Sequence, residues 1–140
     1  MATQNGVNYA KKINPTTANI LGAAESNGKV RVMHDSFTFA GEAAGEVIRI
    51  GKLPKNSRYL GAIIANAALG AAVTVQIGDS GDDDRFVAAV DANTTPPIGI
   101  AKTPQTGMNY EFSDETIILL KTAGGAATGL IEVALLYSVE

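Results

Sequence analysis

Apolar and polar residues alternate along much of this chain. Val73, Val75 and Ile77 are interleaved with Thr74 and Gln76, and near the C-terminus Ile131, Val133, Leu135, Tyr137 and Val139 share one parity. A period of two places successive side chains on opposite faces of an extended backbone, so each run predicts a half-buried strand. The pattern is densest over residues 51–90, where Pro54 and Asn56 mark a first turn, Gly70 a second, and the glycines and aspartates of 78–84 a third. From Tyr59 to Ala68 both parities are apolar or small. Both faces of that strand should therefore be covered: it lies in the middle of the structure, or one of its faces meets another subunit.

The remaining segments follow the same logic. Residues 29–39 predict a first strand in which Val30 and Val32 share one parity and Phe37 and Phe39 the other, a switch most simply made by a bulge near residues 34–36. Residues 46–53 give a second strand. Thr94-Thr95-Pro96-Pro97 predicts a stiff loop, because neither proline can donate to a ladder, and 98–102 a short edge strand. Residues 107–113 are expected to pair with 116–122, 123–129 to form a flexible tip, and 130–139 to tie the C-terminus into a sheet. Residues 1–28 show neither period, with Gly6, Asn14-Pro15 and Asn27-Gly28 as interruptions, and are expected to be an extended arm with a helical turn near 17–24. In a lattice such an arm adds contacts to a neighbour; the plain alternative is a floppy terminus.

The division is thus an N-terminal arm, 1–28, and a β-sandwich domain, 29–140. Eight or nine strands spaced by about 8 to 14 residues, without a long amphipathic helix, indicate an all-β fold, a β-sandwich or barrel, with a jelly-roll-like sandwich the first choice among Greek-key arrangements. Strand order is not encoded in the periodicity.

Composition adjusts this picture. The chain is 46% hydrophobic, but much of that is alanine, with 4 Phe, 4 Tyr and no Trp. Alanine removes little surface from water, so a thin core is expected to be completed by subunit contacts. The absence of cysteine excludes disulfides and thiolate chemistry. The first residues lack an apolar signal region, and no apolar run approaches the roughly 18 residues of a membrane span, so no membrane partner is expected. The net charge of −3 is uneven. Residues 1–58 carry 8 basic and 4 acidic side chains, and 59–140 carry 3 and 10. That asymmetry orients the basic part toward an acidic partner, or is ordinary surface scatter.

Candidate chemistry is sparse. Asp79, Asp82, Asp83 and Asp84 could offer oxygens to calcium, but their spacing departs from the EF-hand pattern, and a solvated turn with Arg85 paired to one carboxylate is the simpler reading. His34, the sole histidine, has Asp35 and Ser36 beside it in sequence but alternating across a strand, which does not make a triad. No segment has the context of a phosphate loop. A pI near 5.1, with few stacking aromatics near Lys52, Lys55 and Arg58, argues against nucleic acid. No catalytic, cofactor-binding or metal-binding residue is assigned.

Gly51-Lys52-Leu53-Pro54-Lys55 before a hydrophobic strand, then Ala68-Leu69-Gly70 and Val75-Gln76-Ile77-Gly78-Asp79-Ser80-Gly81-Asp82, resemble small structural proteins of tailed bacteriophages, the head decoration or cement proteins. The similarity spans about residues 29–139 and consists of turn and strand signatures. It implies a non-enzymatic protein without cofactors, made in the host cytoplasm and located on the virion, which clamps the major capsid protein and assembles as a homo-oligomer, a trimer. Under that reading Lys11, Lys12 and Ile13 of the arm, with Lys52, Lys55 and Arg58 of the basic turn, are candidates for capsid contact; Ile63, Ala65 and Leu135 are candidates for the subunit interface. A receptor- or carbohydrate-binding fibre module and a tail or connector component are the alternatives.

Overall fold

The structure is a computed structural model that describes residues 4, 7–13, 16–17, 28–93 and 99–139. A short helix, α1 (Val7–Ile13), precedes eight strands: β1 (Arg31–Glu42), β2 (Val47–Leu53), β3 (Ser57–Asn66), β4 (Thr74–Gly78), β5 (Val87–Asp91), β6 (Gly99–Ile100), β7 (Thr116–Ala123) and β8 (Ala127–Val139). They form two four-stranded antiparallel sheets, ordered β1-β8-β3-β6 and β2-β7-β4-β5.

This order has a simple origin. β1 pairs with β8, β2 with β7, β3 with β6 and β4 with β5, so the chain is one long antiparallel ribbon folded back at the β4–β5 turn. Winding that ribbon brings β8 against β3 and β7 against β4, which closes two layers. The acidic turn is therefore the fold point of the whole ribbon. The β-sandwich expected from the spacing of strands is the fold observed.

The strand phasing holds where alternation was clean. Val75 and Ile77 of β4 and Ile131, Val133 and Leu135 of β8 are buried between the sheets. Phe39, Ile50, Leu53, Ile64, Ile118 and Leu120 join them. At the β4–β5 end the core is aromatic: Tyr59 and Phe86 have ring centroids 4.7 Å apart, and Phe86 and Phe112 lie 5.5 Å apart. Each such ring, fully buried, contributes about 1.5–3 kcal/mol through removal of apolar area from water. A second ring pair, Phe37 and Phe39 with centroids 4.9 Å apart, lies toward the other end of the sandwich, where β1 meets the start of β8.

Four expectations are corrected. β1 has no bulge near His34: its register with β8 runs unbroken from Arg31 to Ala40 and shifts only before Glu42. Val30 and Val32 are out of phase with Phe37 and Phe39 because they face solvent, at 62% and 60% exposure. Residues 107–113 do not pair with β7, whose partners are β2 and β4. They lie along the start of β3 instead, where Tyr59 N–H donates to the Tyr110 carbonyl (3.1 Å) and Phe112 N–H to that of Ser57 (2.9 Å). The tip expected at 123–129 shrinks to residues 124–126, since β7 and β8 continue into it. There Gly124 has φ +87°, and a Cβ would lie 1.9 Å from the Ala72 carbonyl oxygen, so the connection is pressed against its neighbour.

Finally, the arm expected to be extended contains α1, earlier than the helical turn placed near 17–24, where residues 18–24 lie outside the described residues. The loop 94–97 and Ile98 also lie outside them. β6 is a two-residue edge strand within the range foreseen.

Candidate functional site

Antiparallel register brings the charged turns to one rim of the sandwich. β2 and β4 end there and β3 and β5 begin there, so the β2–β3 turn, the β4–β5 turn and residues 107–115 share that end. Asn56, at φ +61°, and the Ser57 N–H donating to the Pro54 carbonyl (3.2 Å) make the first turn as Pro54 and Asn56 foretold.

The acidic turn divides into one buried carboxylate and three outer ones. Asp79 is 7% exposed. Its Oδ1 accepts from the N–H groups of Gly81 (2.8 Å) and Asp82 (3.0 Å), and its Oδ2 accepts from Arg85 Nε (2.9 Å). Arg85 in turn lies over the Tyr110 ring, 4.4 Å from its centroid. The turn closes so tightly that a Cβ on Gly78 would sit 2.1 Å from the Asp82 carbonyl oxygen. Asp79 is thus a structural anchor, which the run of aspartates concealed.

Asp82, Asp83 and Asp84 have carboxylate oxygens within 4.8 Å of one another. Lys121 Nζ donates to Asp83 Oδ2 at 2.6 Å and holds that carboxyl below the usual carboxylate range. A hydrogen bond shared with Asp82 raises Asp84. One lysine therefore already neutralises part of the cluster.

The basic turn is also occupied from within the chain. Lys52 Nζ pairs with Glu115 (2.8 Å) and Arg58 with Glu111 (2.8 Å). Lys55 is exposed and has no carboxylate partner among the described residues. The three cations are brought together as expected, with two of them paired. On α1, Lys11 and Lys12 occupy the last turn, where a cation suits the helix dipole, and Ile13 is exposed.

The interface candidates separate. Ile63 and Ala65 lie on the outer face of the β1-β8-β3-β6 sheet, whereas Leu135 is 1% exposed inside the core and has no access to a neighbouring subunit. The β8 residue on the outer face is Leu136, opposite Val32 of β1 and Gly61 of β3. Around it, Leu60, Ile63, Ile100, Met108 and Leu136 line a shallow apolar depression of about 210 Å³. His34 and Glu132 face each other on the same sheet at 3.8 Å. The signal for this face was in the sequence: the second apolar parity of Tyr59 to Ala68, and Val30 and Val32 out of phase with the core.

One further concavity, about 340 Å³, lies beside β5 and is lined by Ala88, Ala89, Val90, Lys102, Thr103 and Pro104. It offers one amine among apolar and hydroxyl groups, without a nucleophile and base in hydrogen-bond reach. Tyr59, buried nearby, has its hydroxyl pushed up to about 12 by desolvation and donates to the Phe86 carbonyl (3.4 Å). It is a core residue. No helix among the described residues is long and apolar enough to cross a membrane.

No family model and no curated protein matches this chain. Solved structures that share its fold include chains of three phage capsids. A chain of the cyanophage Pam1 capsid asymmetric unit superposes with TM-score 0.69 at 22% identity, over 91% of this chain and 99% of that one. A chain of the capsid of Ralstonia phage GP4 gives TM-score 0.66 at 20% identity, over 89% and 93%. The acid-stable capsid of Helicobacter pylori bacteriophage KHP30 gives 0.57 at 12%, over 79% and 87%. At these identities the likeness is one of fold, and the fold is one found in phage capsids.

Proposed function

We propose that this chain is a non-enzymatic structural part of a phage virion, a decoration or cement protein on the outer surface of the head that holds adjacent major capsid subunits together. The observation that carries this reading is the match to the Pam1 capsid chain, which takes in nearly the whole of both chains. The neighbour is therefore a free-standing chain of this size rather than a domain within a larger subunit, which suits an accessory part. We read the strand order, with β1 to β4 each paired to its counterpart from β8 to β5, as a jelly roll.

On this reading capsid contact falls to the rim and the arm. Lys55 offers an open cation, Lys52 and Arg58 exchange Glu115 and Glu111 for carboxylates of the shell, and Lys11, Lys12 and Ile13 add a second point of attachment. Many copies, each with modest contacts, reinforce a shell through effective concentration. The fibre-module alternative would draw on the acidic turn, but Asp79 is held by Arg85 and Asp83 by Lys121, so calcium should leave the melting temperature unchanged.

The test is co-sedimentation with phage heads assembled without this protein. Binding should saturate at a fixed number of copies per capsid subunit, and the double variant Lys52→Glu/Lys55→Glu should weaken it about tenfold or more at low salt. Absence of saturable binding would remove the proposal.

A further inference from the structure

On the outer face of the β2-β7-β4-β5 sheet a concavity of about 360 Å³ opens beside the rim, lined by Arg49, Ser80, Glu115, Thr116, Ile117 and Leu119. Its origin lies in the register. Leu119 of β7 has Arg49 of β2 on one side and Gly78 of β4 on the other, and the glycine sends no side chain over the sheet. The acidic turn curls against Gly78 instead and sets Ser80 on the far bank. Apolar side chains flank the row of Arg49 and Leu119, with Val47 48% exposed on one side and Ile117 38% exposed on the other.

Charge identifies the ligand. Lys52 is tied to Glu115, Lys121 to Asp83, Arg58 to Glu111 and Arg85 to Asp79, whereas Arg49 is exposed and has no carboxylate partner among the described residues. Glu115 lines the same concavity, yet its Oε1 is taken by Lys52 Nζ at 2.8 Å. The open group is therefore a guanidinium, a planar and permanently charged fork of N–H donors that matches the two oxygens of a carboxylate. The surroundings select among anions. A single cation balances a single negative charge, and a polyphosphate or nucleic-acid backbone would bring further charges toward Glu115 and toward Asp82 and Asp83 on the adjacent turn.

We infer that this concavity is a carboxylate-binding site, its occupant a Glu or Asp side chain of a partner protein. Arg49 pairs with the carboxylate, Ser80 stands across from it as a further donor, and apolar residues on either side of the acid rest on Val47 and Ile117. The capsid reading supplies the partner's identity, an acidic segment of the shell, while the site itself stands on the geometry of the isolated chain.

NMR titration of the purified full chain with the peptide acetyl-Leu-Glu-Leu-amide tests it, with acetyl-Leu-Gln-Leu-amide as the uncharged match. The Glu peptide should move the Arg49 Nε–H and Ser80 amide resonances along a saturable curve at millimolar concentration. The Gln peptide should bind about fivefold more weakly or worse, and Arg49→Gln should weaken the Glu peptide by a similar factor. Lys102→Gln, which removes an exposed cation beyond β6, should leave the curve unchanged. No saturable shift at Arg49, equal affinity for the two peptides, or an equally tight curve with inorganic phosphate overturns the inference. Co-sedimentation separates the site from the capsid reading. Arg49→Gln protein that binds heads as wild type does overturns the site as a partner contact and leaves that reading standing. Wild type that does not bind heads removes the reading, and the peptide curve still decides the site.

Discussion

The outer face of the β1-β8-β3-β6 sheet presents Val32, Ile63, Leu130 and Ile100, while that of the β2-β7-β4-β5 sheet presents Arg49, Lys52, Gln76 and Lys121. Lys52 is tied to Glu115 and Lys121 to Asp83 on the second sheet, and the first has the His34–Glu132 pair and, at the start of β3, Arg58 with Glu111. An antiparallel sheet with one wet face normally keeps that face polar; the second sheet does so in part, its lysines standing beside exposed Val47 and Ile117. The first leaves apolar side chains out of contact, which costs stability unless something removes them from water. The difference teaches that the two layers are not equivalent: one carries lysines tied into ion pairs among its exposed side chains, and the other leaves Val32, Ile63, Ile100 and Leu130 in contact with water.

The sharpest way to break this comparison is to exchange inside for outside on a single strand. Leu135→Ala should lower the stability read by denaturant unfolding by about 2–5 kcal/mol, because it leaves a cavity in the core. Leu136→Ala, one residue on and facing outward, should cost less than about 1 kcal/mol in the monomer. Equal costs would contradict the assigned faces.

At the rim, Asp79→Ala should cost about 2–3 kcal/mol in the same measurement, since it orphans two N–H groups and leaves Arg85 without its carboxylate. Arg85 is only partly buried, which keeps the value below that of a fully enclosed pair. Asp83→Ala, by contrast, should be indistinguishable from wild type in the same measurement, because its pair with Lys121 is solvent-exposed.

A smaller effect lies in the titration of the same turn. Lys121 depresses Asp83, so any stability from that pair is present above the ordinary carboxylate range and is lost as the pH falls through the lowered value. Asp84 is raised and should take up its proton first as the pH falls. Carboxyl NMR should show this order, and Lys121→Gln should move Asp83 upward. Least of all, Lys52→Ala should change stability by a few tenths of a kcal/mol or less, with the difference vanishing in high salt.

How much of this was legible in the sequence differs by element. The phases of β4 and β8 were legible because Val75, Ile77, Ile131, Val133 and Leu135 alternate without interruption, and the β2–β3 turn because Pro54 and Asn56 have local backbone preferences. Residues 107–113 were not. Their partner is β3, about fifty to fifty-five residues back in the chain, and nothing local distinguishes it from the adjacent β7. The odd parity of Val30 and Val32 was visible but read as a bulge, because the expectation that apolar residues face the core hid an apolar outer face. Leu135 was assigned to the interface, although its own parity with Val133 placed it inside. Asp79 looked like one of four equivalent aspartates, and only the fold of the turn onto Arg85 sets it apart.

The most direct test of the central claim is a cryo-electron reconstruction of phage heads incubated with this protein. Density for a two-layer sandwich should appear on the outer surface where capsid subunits meet, with the basic turn toward the shell. Heads that carry no such density, or density found only at the tail, would contradict it.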